Sequence, residues 1–243
     1  LVTFTDAQPR HYDIDEDYLA RKNPYRPIKE WALGQTQYGY QFLDLLAESN
    51  KSGDLLFPEL SLFECHTCHH NPKKIRWDRL NKEEEPGRIK INGSSLMITQ
   101  MIAEILLPEY KDRISELRDK IRHKTITNEG NISEIALEGK ELFRTLKESI
   151  ESKDITNKEG VAILNQIILT GKAGALRELS SAEQSVMAIA LITKDLPQEF
   201  EYLKTPAQVT TVIESLYTIL LDENAFNPQR LKNKLKKLKV SVN

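Results

Sequence analysis

Apolar residues recur at steps of three and four positions along most of the chain, which is the spacing of helices that bury one face. Between Lys29 and about Glu48 the apolar positions include Trp31, Phe42 and Leu46, which predicts an amphipathic helix. Alternating patterns that would indicate strands are scarce. The pattern therefore favours an all-α fold.

Helix start and stop signals become frequent after Gly93. Gly171 is expected to end one helix, and Ser180 with Glu183 to form the capping box that opens the next. Helices are predicted at Ser94 to about Leu106, Pro108 to about His123, Ser133 to about Lys153, Asn157 to Thr170, Ser180 to about Thr193, and after the pairs Thr205-Pro206 and Asn227-Pro228.

The part of the chain before Gly93 is less regular. Prolines at positions 9, 24 and 27 indicate an extended arm over residues 1–28. We therefore divide the chain into residues 1–92, an irregular N-terminal part with one helix, and residues 93–243, a helical bundle that ends in a basic amphipathic helix.

The composition fits a globular protein with a substantial core. The 243 residues are 40% hydrophobic and 29% charged, with a formal net charge of -2. No apolar run approaches the roughly 18 to 20 residues of a membrane span. The near-neutral charge gives no global basic field for nucleic acid, so a charged partner has to be recognised locally.

Five residues that can bind metals or haem are crowded into positions 65–70, which read Cys-His-Thr-Cys-His-His. The run contains both cysteines of the chain and three of its five histidines. Cys65 to His69 is C-x-x-C-H, the attachment signature of a c-type haem. The two thiols, Cys65 and Cys68, are predicted to bond the porphyrin edge, and His69 is predicted to be the proximal ligand of the iron. Residues 1–92 are therefore expected to form an irregular haem-binding N-terminal part.

Three other readings of the same run are open. A redox C-x-x-C normally opens a helix in a βαβ setting, which no strand pattern near these residues suggests. A structural zinc site could use both cysteines and two histidines, although zinc sites usually draw a second ligand pair from a dozen or more residues away. Two unpaired buried thiols are the plainest alternative.

The second axial ligand of the iron is not fixed by spacing. His11, on the N-terminal arm, is a candidate distal ligand, with a surface histidine as the alternative. His70 cannot reach the haem that His69 holds and is instead a candidate ligand of a neighbouring haem. The further candidates are His66, His123, Met97, Met101 and Met187.

Four stretches carry a likeness to known proteins: WALGQTQYGYQFLDLLAES, PELSLFECHTCHH, GRIKINGSSLMITQM and SSAEQSVMAI. They resemble the C-terminal region of a family of bacterial multihaem c-type cytochromes. The resemblance implies haem c on Cys65, Cys68 and His69, an exported electron-transfer protein, and usually further haems upstream. The family tends to carry His-Pro where this chain has Gln8-Pro9, with His11 two residues later, and the other C-x-x-C-H motifs are absent.

We therefore expect one covalent haem c, electron transfer in the bacterial periplasm or another exported location, and redox protein partners that include other haem-bearing subunits if the chain is part of a larger assembly. No constellation for catalysis can be placed beside the haem, so an electron carrier is expected rather than an enzyme. Because the chain starts at Leu1, a removed signal peptide fits this expectation. The alternatives are a haem-anchored assembly module and a zinc-stapled helical interaction protein.

The last predicted helix is strongly basic. Between Pro228 and Lys239 it has six basic residues and no acidic one, with leucines 231, 235 and 238 on one face. Residues 228–239 could make a peripheral contact with anionic lipid or with an acidic redox partner. The alternative is a surface helix packed on its leucines.

Overall fold

The structure, a computed structural model, describes residues 15–17, 26–48, 62–64, 90–127, 132–196, 206–221 and 226–238. Within these ranges the chain forms eight α-helices, one short 3-10 helix and no strand, which confirms the all-α prediction. The helices are α1 (Pro27–Glu48), α2 (Ser94–Leu106), the 3-10 helix (Pro108–Tyr110), α3 (Lys111–Thr127), α4 (Ile132–Ser152), α5 (Asn157–Ala173), α6 (Leu179–Asp195), α7 (Pro206–Leu220) and α8 (Pro228–Leu235). The predicted irregular part before residue 93 falls largely outside the described residues.

Helix α2 lies at the centre of the bundle and contacts α1, α3, α5 and α6. Its apolar side chains are almost fully buried, among them Leu96, Ile98 and Ile102. Pro108 begins the 3-10 turn that leads into α3, since proline fits the first turn of a helix but not its interior. None of the described helices is both long and apolar enough to cross a membrane.

Helices α1 and α4 pack side by side in opposite directions. At one end Lys29 Nζ donates to the Glu151 carbonyl over 2.8 Å, and at the other Lys140 pairs with Asp44. Between them the backbone of Gly39 lies against the ring of Phe143, which has no exposed surface. A glycine is needed there because any Cβ would overlap the ring.

The start of α5 carries a complete capping box. The Glu159 N–H donates to Thr156 Oγ1 over 3.2 Å, and the Thr156 N–H donates to Glu159 Oε2 over 2.9 Å. Burial opposes the ionisation of Glu159, but the hydrogen bonds from Thr156 and the charge of Lys153 outweigh it and hold the pKa of Glu159 below its ordinary value.

The prediction that Gly171 ends α5 is wrong. The helix continues to Ala173, and Gly174 at φ 89° is the left-handed cap. Gly171 is instead buried inside α5, where a Cβ would lie 2.3 Å from Leu235 Cδ1 of α8. The glycine therefore allows a close approach of two helices, and it does not end one.

The predicted capping box of Ser180 and Glu183 is also wrong. Helix α6 begins at Leu179 with Glu178 at the N-cap and no side-chain cap. The Ser180 hydroxyl instead donates to the carboxylate of Glu64, far away in sequence. A tertiary partner has taken the hydroxyl that a local cap would use.

The expected start of α8 is confirmed. Asn227 Oδ1 accepts from the Gln229 N–H over 3.0 Å, and Pro228 occupies the first turn. Leu231 and Leu235 are buried against the bundle, and Leu238 packs on the same core. The leucine face of the basic helix is thus used for packing.

Candidate haem attachment site

The predicted attachment motif follows a short segment that is tied to the start of α2. Phe63 and Ile91 form an isolated antiparallel bridge. The Glu64 N–H donates to the Lys90 carbonyl, and the Asn92 N–H donates to the Leu62 carbonyl, each over 2.8 Å. These bonds hold together the two ends of residues 65–89, which we call the attachment loop, and we call the paired segments 62–64 and 90–92 the loop base.

Glu64, the residue directly before Cys65, is anchored in the protein. Its exposed fraction is 5%, and its carboxylate accepts a hydrogen bond from the Ser180 hydroxyl in the first turn of α6. The partial positive charge of a helix N-terminus favours a carboxylate at this position. The chain therefore reaches the motif from a fixed point on the bundle.

A second contact joins the other end of the loop base to the same helix. Lys90 Nζ lies 3.7 Å from a carboxylate oxygen of Glu178, the N-cap residue of α6, and both side chains are about a quarter exposed. Such a half-exposed pair contributes modestly to stability. Both segments of the loop base are thus attached to the N-terminus of α6, one through Glu64 and one through Lys90.

Next to this contact, a half-buried polar cluster connects α2, α3 and α5. The Arg118 guanidinium donates to Gln100 Oε1, Gln100 Nε2 donates to Glu104 over 3.3 Å, and Gln166 donates to the same carboxylate. Burial lowers the pKa of Arg118, and the carboxylates of Asp119, Glu178 and Glu104 oppose that effect. The charge of Arg118 is therefore balanced by carboxylates on several helices, one of which is Glu178, the partner of Lys90.

The chain matches no protein-family model, no curated protein and no solved structure. The resemblance to multihaem cytochromes therefore stays a prediction that rests on the quoted stretches. The roles of the residues around the motif follow from their own contacts.

The five predicted site residues lie outside the described ranges. These residues are Cys65, Cys68, His69, His70 and His11. His66 lies outside as well. Within the ranges that the structure describes, no three or more histidine, cysteine or acidic side chains form a group that could hold a metal ion.

Four other candidate ligands, Met97, Met101, Met187 and His123, lie in described helices. Met97 and Met101 on α2 are 7% and 3% exposed and belong to the hydrophobic core, as expected from their four-residue spacing. Met187 on α6 is half-buried, and His123 is exposed near the C-terminal end of α3. His123 lines an open groove of about 550 Å³ with charged neighbours from α3 and Ile135 of α4.

Trp31 and Gln35 lie one turn apart on α1 and are both at least nine-tenths buried. Within the described part of the chain, neither Trp31 Nε1 nor Gln35 Oε1 has a hydrogen-bond partner, although Gln35 Nε2 donates to Gln184 of α6 over 2.9 Å. Trp31 is thus a core residue, as its type predicts. Among the described residues its indole N–H has no acceptor, which leaves an unpaired donor inside the bundle.

Glu64 and Arg118 were not predicted from the sequence. A signal for Glu64 was present, because an acidic residue next to the apolar pair Leu62-Phe63 has to find a partner if that pair is buried. Arg118 stands in a helix with charged neighbours on most sides, so its burial cannot be recognised from the pattern.

Proposed function

We propose that the chain is a c-type cytochrome that carries one covalent haem and transfers electrons. The observation that carries the proposal is the C-x-x-C-H motif at Cys65 to His69. Cys65 and Cys68 would hold the porphyrin through thioether bonds, and His69 would bind the iron. The haem would supply a one-electron redox centre.

The loop base supports the proposal because it fixes the residue before the motif. Cys65 follows Glu64, whose carboxylate accepts from Ser180 of α6 and whose backbone N–H donates to the Lys90 carbonyl. Leu62, two residues earlier, is buried in the core. A covalent cofactor has to keep a constant distance from its partners if electron transfer is to be efficient. An attachment point directly beside an anchored residue meets that need better than one in the middle of a long loop.

The other members of the loop base would hold the far end of the attachment loop. Lys90 and Asn92 bind the backbone of the 62–64 segment, and Lys90 also pairs with Glu178. The 25 residues from 65 to 89 therefore begin and end at one place on the protein. Such a loop can cover a bound group without disturbing the packing of the bundle.

An electron carrier in the bacterial cell envelope, working with redox proteins that include other haem-bearing subunits, is the role that this arrangement supports best. The motif and the resemblance support export, because haem c is attached outside the cytoplasm in bacteria.

The experiment is expression of the chain in a bacterial host that can mature c-type cytochromes, with the double variant Cys65→Ser/Cys68→Ser as the comparison. The native chain should keep its haem after acid-acetone extraction, and the double variant should lose it. A variant at Glu64, Glu64→Gln, is the matched control, because it alters the anchored neighbour but leaves both thiols. Equal haem retention by the native chain and the double variant would rule out covalent attachment.

A further inference from the structure

The connection between α5 and α6, residues 174–178, touches two features of the protein at once. On one side Lys232 Nζ of α8 donates to the Ala173 carbonyl over 3.2 Å, beside Gly174. On the other side Glu178 pairs with Lys90 of the loop base. The basic helix and the base of the attachment loop are therefore neighbours at the same end of the bundle.

The packing of α8 on the bundle determines which of its side chains are exposed. Leu231 and Leu235 are at most 1% exposed, and Leu235 fits against Gly171. Lys172 Nζ also donates to the Leu238 carbonyl over 2.6 Å, which fixes the turn after the helix. The apolar side of α8 packs on the bundle, so its charged side faces outwards.

That outward side carries positive charge. Arg230 of α8 is exposed and Lys234 of α8 is half-buried, and Lys236 and Lys237 are exposed in the turn directly after the helix. We call these four residues the basic face. Residues 228–239 contain no acidic residue, although the whole chain has 36 acidic and 34 basic residues. The positive charge is thus concentrated locally in a chain that is nearly neutral overall.

We propose that the basic face is the docking surface for an acidic redox protein, which would be held beside the attachment loop. The inference rests on the proposed function, because the surface serves electron transfer only if haem is bound there. Positive side chains on a rigid helix attract an acidic surface and orient it. A partner bound to α8 would lie next to the loop base, which shortens the path for one electron between its redox centre and the haem iron.

An anionic membrane fits the same surface less well. Amphipathic helices that lie on a bilayer bury their apolar side among the acyl chains, and here that side is already buried in the protein. Lipid binding would have to come from charge alone. The closed leucine side therefore favours a protein partner.

The test uses the full chain and a fluorescently labelled acidic flavodoxin as the probe. The patch variant is Arg230→Gln/Lys236→Gln/Lys237→Gln. The control variant is Lys111→Gln/Arg113→Gln/Lys158→Gln, which removes the same number of positive charges, three, from exposed sites on α3 and α5. Binding is followed by fluorescence anisotropy at low and at near-physiological ionic strength, and a haem spectrum is recorded on every sample.

The patch variant should bind the flavodoxin about ten-fold more weakly than the native chain at low ionic strength, and the control variant should bind like the native chain. Equal weakening in both variants would overturn the proposal, because it would show a general effect of net charge. Patch-dependent binding to phosphatidylserine vesicles that exceeds binding to the flavodoxin would also overturn it. A sample without haem bands that still binds through the patch would sink the proposed electron transfer and leave the docking surface in place.

Discussion

A pair of glycine substitutions in α1 tests the packing of α1 on α4. An alanine at Gly34 would meet no atom within 4 Å, whereas the new Cβ at Gly39 would lie 2.3 Å from Cε1 and 2.7 Å from Cδ1 of Phe143. Phe143 has no exposed surface, so its ring cannot swing into solvent. Both substitutions gain about 1 kcal/mol of helix propensity, but Gly39→Ala also incurs overpacking of about 1 to 3 kcal/mol.

The difference between the two variants isolates the packing effect. Gly34→Ala should raise the free energy of unfolding by about 1 kcal/mol above that of the native chain. The free energy of unfolding of Gly39→Ala should be about 1 to 3 kcal/mol lower than that of Gly34→Ala. Urea unfolding followed by circular dichroism measures both values. If Gly39→Ala stabilised the protein as much as Gly34→Ala, Phe143 would not cover Gly39 and the arrangement of α1 and α4 would be wrong.

Three further predictions concern the capping box, α8 and the loop base. Thr156→Ala should lower the free energy of unfolding by about 1 kcal/mol. The native chain should be more stable than Glu159→Gln at neutral pH, and this difference in the free energy of unfolding should shrink as the pH falls below 4.5. A difference that does not change with pH would contradict the lowered pKa of Glu159. Gly171→Ala should force Leu235 away and speed tryptic cleavage within α8, with unchanged cleavage as the refuting result. Ser180→Ala should cost about 1 to 3 kcal/mol in urea unfolding by removing a donor from a buried carboxylate, and a change within error would show that this bond is not formed.

Most of the helices could be predicted from the sequence because the signals that start and end a helix lie within a few neighbouring residues. The proline at position 108 and the pair Asn227-Pro228 act on their own turn, and the structure has a helix start at both places. The bounds of α2 were also predicted correctly, because its apolar period is strong. These features depend on backbone chemistry that no distant contact overrides.

The errors arose where a distant residue decides the role of a local one. Gly171 looks like a helix end but is a packing glycine, because Leu235 is brought against it from more than 60 residues away. Ser180 has the spacing of a cap but bonds to Glu64. The loop base could not be predicted from the sequence. Its two three-residue segments pair across a 25-residue loop, and neither segment has the alternating pattern of a strand.

At the candidate site, the sequence predicts which residues attach the haem, and the structure describes the segments before and after the attachment loop. Cys65, Cys68 and His69 are assigned from spacing alone, and they remain predictions because they lie outside the described residues. The anchoring of Glu64 and Lys90 to α6 comes only from the fold. The distal ligand depends on which side chain meets the iron in three dimensions, which spacing does not encode.

The most direct test of the central claim is the visible spectrum of the purified chain after expression in a host that matures c-type cytochromes. The account predicts sharp α and β bands on reduction and one haem per chain in a pyridine haemochrome assay. A colourless protein whose two cysteines both react with an alkylating reagent would contradict it, because the thiols of an attached haem are no longer free.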